Sequence, residues 1–290
     1  YFPEILNTCK YEDKVYGMPL ESNNLEIIYN KDIFDELGVE YPTNDWTFDD
    51  LKELAKKTTT DKYKGFAVSG VQSEESTYQF LPFFWTAGGE TMNLNSDAGK
   101  TALSLWSDMV AEGYMPKDCI TWTQSELASQ FESGNIAMHV MGCWNTTPYK
   151  NHDLNYGVVE IPSATEGGEK ATVYGGENLC VIKGKNTENA LEFLEWMEDY
   201  DRISEWDKAI DHFTACDEAV ADERFQTEER EKHENENCKR NCEQNNCKQN
   251  NTENSEQQEK QRGKNGVNRR RTSAPEDIQC ASGRIGTELV

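Results

Sequence analysis

Four consecutive hydrogen-bonding side chains, Glu21-Ser22-Asn23-Asn24, stand directly ahead of the apolar run Leu25-Glu26-Ile27-Ile28-Tyr29. A strand needs apolar continuity or alternation, so four polar groups at its entrance must find partners or face solvent. They make sense if the strand begins at a cleft where a hydroxyl-rich ligand and water satisfy them; a solvated hinge loop is the plainer alternative. The same form recurs at Tyr174-Gly175-Gly176-Glu177-Asn178, which precedes Leu179-Cys180-Val181-Ile182. There the two glycines allow close backbone approach and rotation, and the Glu177 carboxylate can accept hydroxyl protons. A third such place is the exit Gly142-Cys143-Trp144-Asn145 from the apolar run Ile136 to Met141.

Bond-making chemistry has no comparable signature. The sequence has no Gly-x-Ser-x-Gly, His-Glu-x-x-His, Gly-x-Gly-x-x-Gly or Walker lysine, and no catalytic residue or cofactor is assigned. A glycoside hydrolase would need two carboxylates roughly 5 to 9.5 Å apart, one with a raised pKa. The 44 acidic residues before position 233 are too many to single out such a pair. His139, His152, His212 and His233 stand apart from any nucleophile pattern and read as satisfied or exposed imidazoles. Cys9, Cys119, Cys143, Cys180 and Cys216 have no close pairing and read as single buried thiols. Cys238, Cys242, Cys247 and Cys280, with His233 nearby, lack the tight pairs and packed scaffold of a structural zinc site, so no metal is assigned.

These segments must be positioned by an alternation of short apolar runs and amphipathic helices, the α/β pattern. Lys31 to Leu37 reads as a helix stopped by Gly38, and Thr47 with Asp50 forms a capping box ahead of Leu51, Leu54 and Ala55. Trp46, beside that box, reads as packing. Lys64 to Val68 is expected as a strand, Glu75 to Ala87 as an aromatic helix closed by Gly88-Gly89. Helices are expected over Ala98 to Glu112 and Gln124 to Ser133, with buried strands over Ile136 to Met141 and Asn155 to Ile161. A hairpin-like segment surrounds Gly167-Gly168, and the apolar run after Gly176 reads as another strand. Two helices follow, Thr187 to Tyr200 and Arg202 to Ile210, and Asp222 to Lys232 is at most a charged helix.

Composition divides the chain. Residues 1 to 232 carry a net charge of −25 and residues 233 to 290 a net of +1, and no Phe, Trp or Tyr occurs after Phe225. Residues 226 to 290 therefore cannot bury enough apolar surface to order themselves, and read as a disordered tail or the product of a reading-frame slip in an adenine-rich gene. So acidic a body is repelled by phosphate backbones and anionic membranes, which argues against nucleic acid and for neutral or cationic ligands. No run of 18 apolar residues occurs and no signal peptide opens the chain; a start on Tyr1-Phe2-Pro3 reads as internal, with a targeting segment missing.

The segments KVYGMPLESNNLEIIYNKDIFDELGV, FLPFFWTAGGE, ASQFESGNIAMHVMGCWN, NYGVVEIP and ATVYGGENLCVIKGKNTENALEFLEWM, in this order and spacing, resemble the extracellular solute-binding proteins of ABC sugar importers, the group that includes maltodextrin-binding proteins. The resemblance runs from Tyr1 to about Phe225. It implies a two-lobed α/β fold of the type II periplasmic-binding-protein kind. Residues 1–22 and 177–225 would be a partial lobe I, 24–173 lobe II, and 226–290 the disordered or out-of-frame tail. It also implies a monomeric receptor, periplasmic or lipid-anchored, that closes on a mono- or oligosaccharide and is recognised by importer membrane subunits.

Sugars present apolar C–H faces and an equator of hydroxyls, so their sites combine aromatic platforms with planar hydrogen-bonding groups. Under the resemblance Glu21, Asn23 and Asn24 lie on the first interlobe crossing, and Gly175, Gly176 and Glu177 on the return. Trp144, followed by Asn145, matches the stacking tryptophan, and Tyr78 matches a position from which an aromatic stacks on sugar. A core Trp144 and a packing Tyr78 are the alternatives. Two rival readings of the whole chain remain: a non-binding truncated remnant and a carbohydrate-active enzyme.

Overall fold

The structure is a computed structural model that describes residues 1–12, 14–90 and 93–225. The expectations for the tail, including His233 and the cysteines from Cys238 onward, lie outside the described residues.

The chain opens with α1 (Pro3–Thr8), the short antiparallel pair β1 (Lys10–Tyr11) and β2 (Lys14–Val15), and β3 (Gly17–Pro19). It then builds a larger body from β4 (Leu25–Asn30), α2 (Lys31–Leu37), α3 (Phe48–Thr58), α4 (Glu74–Thr86), α5 (Asp97–Ala111), α6 (Gln124–Glu132), β5 (Met138–Gly142), α7 (Thr146–Asn151) and β6 (Tyr156–Val159). β7 (Asn178–Cys180), α8 (Thr187–Met197) and α9 (Tyr200–Ala209) return to the smaller body.

β4 is central in an antiparallel sheet of order β5-β4-β6, pairing Ile27 with Val140 on one side and Val159 on the other. All six of its residues are buried. The two-residue period of the strands sorts the core: Leu25, Ile27, Tyr29, Met138 and Val140 pack with Phe34, Leu51, Phe83, Phe84 and Met109. Ile28 and Met141 pack on the opposite face with Leu127, Phe131 and Tyr149. Helix ends follow local chemistry. Thr47 and Asp50 form the expected capping box, and Thr123 with Glu126 form a second one that the sequence reading passed over. Gly38, Gly88, Gly113 and Gly134 take the left-handed conformation that ends the preceding helices. Trp46 is buried, its indole N–H donating to Glu160 O at 2.8 Å.

Five local expectations are corrected. Lys64 to Val68 is not a full strand: among the described residues its β-pairing is limited to the isolated parallel bridges Lys64–Ile136 and Ala67–His139. Gly65 is pressed so close to α3 that a methyl group there would fall 1.8 Å from Ala55 O, and its N–H is turned to Tyr114 O at 3.0 Å. β7 stops at Cys180 and Ile182 is exposed, because its partner among the described residues is the three-residue β3. The segment at Gly167-Gly168 is a turn closed by Gly168 N–H on Thr165 O, not a hairpin. α8 ends at Met197, and Asp199 caps α9 by accepting from the Arg202 N–H, so Tyr200 belongs to the second helix. Residues 222–225 form a turn, with Phe225 N–H on Asp222 O, and the rest of the segment expected at most as a charged helix, residues 226–232, lies outside the described residues.

The smaller body buries Met18, Met197, Ile203 and Cys216 together. Phe193 and Trp196 of α8 stack on each other with 55% and 51% of their surface exposed.

Candidate ligand site at the interlobe crossings

The two glycine- and amide-rich passages run side by side. Asn23 N–H donates to Gly175 O at 3.0 Å, Gly175 N–H returns to Asn23 O at 2.9 Å, and Leu20 N–H reaches Glu177 O at 2.8 Å. A third segment, absent from the sequence reading, joins them: Ser22 and Phe213 exchange backbone hydrogen bonds at 2.7 and 3.0 Å. Its available signal was a helix read to Ile210 that stops without glycine before Asp211-His212-Phe213. Asp211 supplies the left-handed turn itself, at φ 58°.

The four polar residues that open the first passage are buried rather than forming a solvated loop. Glu21 is 1% exposed and Asn23 7%. Much of their hydrogen-bonding capacity is met inside the chain. Glu21 Oε1 accepts from Glu177 N–H at 2.6 Å, Ser22 Oγ donates to Thr214 O at 3.2 Å, and Asn24 Nδ2 donates to Glu26 Oε1 at 3.3 Å. Asn23 Oδ1 accepts the Tyr78 hydroxyl at 2.6 Å. Glu21 Oε2 is buried and has no hydrogen-bond partner among the described residues.

Burial, and secondly the Glu177 carboxyl hydrogen-bonded beside it, push the Glu21 pKa up to about 10. Glu21 is therefore a neutral acid at physiological pH, able to donate as well as accept. Burial likewise raises the Tyr78 phenol far above its ordinary value, so it stays protonated.

Glycine is required at both positions of the return passage. A methyl on Gly175 would fall 2.1 Å from the Tyr78 hydroxyl. Gly176 has φ +146°, and a methyl there would fall 2.2 Å from Glu21 O.

Trp144 lies off the end of β5, half-buried at the seam between the two packing faces of the larger body, and is not an interior side chain. Its ring lies over Gly142 and 6.3 Å from the His212 ring, the two planes inclined by 36°. Asn145 hydrogen-bonds the Tyr149 hydroxyl, which also faces His139 Nε2 at 3.2 Å. Burial drives the His139 pKa down to about 3, so this imidazole is neutral and structural. Across from Trp144, Asp211 accepts from the hydroxyls of Thr146 and, at 2.9 Å, Thr147.

The structure thus gathers Glu21, Asn23, Tyr78, Gly175, Gly176 and Glu177 at one place, with Asn24 one residue beyond. Trp144 and Asn145 lie beside the 211–213 segment that pairs with Ser22. Two α/β bodies joined by such paired crossings make a two-lobed fold. The comparisons with known proteins agree. The chain belongs to the family of bacterial extracellular solute-binding proteins, which matches residues 1–232. It is similar to the maltodextrin-binding protein of Bacillus subtilis, 29% identical over 203 residues, 64% of this chain and 46% of that one. It is also similar to the diacetylchitobiose-binding protein of Streptomyces coelicolor, 28% identical over 210 residues, 66% of this chain and 47% of that one. Maltose-bound MalE3 of T. maritima shares the fold with a TM-score of 0.67 at 19% identity, over 77% of this chain and 60% of that one. The fold is the two-lobed type II kind, and the chain spans about half the length of the sequence relatives it matches.

Proposed function

We propose that this chain is the ligand-binding part of an extracytoplasmic receptor that takes a mono- or oligosaccharide and presents it, by hinge closure, to the membrane subunits of an ABC importer. The observation that carries this reading is the convergence of Glu21, Asn23, Tyr78 and Glu177 on the paired crossings at Asn23 and Gly175. Such a tier of planar hydrogen-bonding groups beside Trp144 suits an equator of hydroxyls below an apolar sugar face. Relatives named for maltodextrin and diacetylchitobiose support the same ligand class. Residues 1–22 and 177–225 form a partial lobe I and residues 24–173 lobe II. Glu21, Asn23, Asn24, Asn145 and Glu177 contact hydroxyls, Trp144 and Tyr78 offer ring faces, and Gly175 and Gly176 turn with the hinge. The receptor works as a monomer, periplasmic or held by a lipid, without catalysing a reaction.

A second reading is a remnant of such a receptor that binds nothing. It is favoured by the two-stranded β3-β7 sheet and the exposed Phe193–Trp196 stack of the smaller body among the described residues. Thermal unfolding with a panel of mono- and oligosaccharides separates the two. A ligand at 100 times its Kd stabilises by about 2.7 kcal/mol, a rise in Tm of roughly 5 to 10 °C for a body of this size. No shift with any sugar supports the remnant and overturns the receptor.

A further inference from the structure

Two cysteines read from sequence as isolated thiols stand together in the smaller body. Gly17 and Cys180 face each other as partners in the β3–β7 ladder. Cys9, which follows α1, accepts from Tyr16 N–H at 2.8 Å and so lies beside the start of β3. A methyl on Gly17 would fall 2.7 Å from Cys180 Sγ and 3.6 Å from Cys9 Sγ. Both sulfurs converge over the one residue of β3 that has no side chain, and they lie no farther apart than those two distances together. A disulfide joins side chains of neighbouring backbones, and Cys9 and Cys180 are both neighbours of the β3 backbone, so side-chain rotation is what must bring their sulfurs to the bond length of about 2 Å. Cys9 is buried and Cys180 exposed, so one thiol is open to a reagent in solution while the other waits behind it.

We propose that Cys9 and Cys180 form a disulfide when the protein meets a disulfide oxidant. The bond ties the first passage of the smaller body to the return passage, which are otherwise joined by the short β3–β7 ladder, hydrogen bonds and the packing of Met18 on Met197, Ile203 and Cys216. The exposed Cys180 thiol gives its proton to solvent, and its thiolate attacks one sulfur of the oxidant, expelling the other as a thiolate. The Cys9 thiolate then attacks the Cys180 sulfur of the mixed disulfide and releases the second half of the oxidant. Two protein thiols are oxidised, one small disulfide is reduced to two thiols, and the protons pass to the leaving thiolates. Cys216 is the competing partner. Its thiol and that of Cys9 both act on the Tyr1 phenol, so it lies in the same neighbourhood, but it is buried in the cluster of Met18 and Ile203. Among the described residues no group of three or more His, Cys, Asp or Glu is arranged to hold a metal ion.

The inference does not depend on what the protein binds. The test incubates the full chain with oxidised glutathione, blocks remaining thiols with an alkylating reagent, and maps peptides by mass spectrometry without reduction. A cross-linked peptide containing Cys9 and Cys180 is the expected product. Oxidation is expected to raise the Tm of the wild type by roughly 5 to 15 °C, and to leave that of Cys180→Ala unchanged. The proposal is overturned if both cysteines are recovered alkylated, or if Cys9 is recovered linked to Cys216. The wild-type map decides these outcomes even if the variant folds poorly.

Discussion

Replacing Glu21 by Gln should reverse part of the pH dependence of stability. Unfolded, this carboxyl ionises near its ordinary value of 4.5; folded, it keeps its proton to about 10. Between those values the folded state binds more protons than the unfolded one. Stability is therefore complete below the unfolded pKa and falls as pH rises, by up to about 1.4 kcal/mol per pH unit. From about pH 5 to about pH 8 the carboxyl costs up to ~4 kcal/mol. At 1% exposure, solvent screening does not dilute that figure much. Gln keeps the acceptor for Glu177 N–H and offers an N–H where the acid offers O–H, but it cannot ionise. Urea unfolding of wild type and Glu21→Gln at both pH values is the assay. The variant should gain on the wild type as pH rises, and parallel profiles would refute the buried neutral acid.

The opposite slope belongs to His139, whose folded pKa of about 3 lies below its ordinary 6.5. Its contribution is present above 6.5 and lost as pH falls, so lowering pH from about 6.5 to about 4.5 should cost roughly 2 to 3 kcal/mol in the wild type. Urea unfolding of His139→Phe should lack that loss. Tyr78→Phe leaves Asn23 Oδ1 without its donor, and should cost about 1 to 3 kcal/mol by chemical denaturation. A double-mutant cycle with Asn23→Ala that shows no coupling would dismiss the contact. Gly176→Ala forces a methyl into Glu21 O at a positive φ, and a loss of about 2 kcal/mol or more in urea is expected. Asp211→Ala removes the acceptor of Thr146 and Thr147, and should enlarge the radius of gyration measured by X-ray scattering without lowering helix content by circular dichroism.

The elements of the larger body were legible because their signals are local. Thr47-x-x-Asp50 caps α3, glycines stop four helices, and a continuous apolar run marks β4. What failed was non-local. Nothing in Lys64 to Val68 announces that Gly65 is wedged against Ala55, and nothing in Leu179 to Ile182 tells that its partner strand is three residues long. The polar tetrad Glu21 to Asn24 was legible as anomalous, but not in its resolution. Its partners Tyr78, Phe213, Thr214 and Glu177 lie dozens to more than a hundred residues away in sequence. Asp211 and His212 were missed for the same reason, since their meaning comes from Thr147 and Trp144 across the molecule. Cys9 and Cys180, far apart in the chain, could not be paired by spacing at all.

The placement of these contacts separates two jobs at the crossings. In a hinged receptor the contacts nearest the axis persist through closure, and those farther out are made and broken. Asn23–Gly175, Leu20–Glu177 and Glu21–Glu177 are backbone-anchored and join the two passages directly, so they can act as the axle. Gly175 and Gly176 sit within it, where the absence of a side chain lets dihedral change occur. The Thr147–Asp211 hydrogen bond and the Trp144–His212 approach link side chains of the larger body to the turn after α9, and under the proposed hinge closure they would be the contacts made on closing. A ligand shifts such an equilibrium by the difference in its affinity for the two states. Contacts made by the protein itself on closing add to that difference. Under the proposed function Asp211 and His212 would thus tune apparent affinity even where they touch no ligand, whereas Glu21 and Asn23 would set the frame on which a ligand is read.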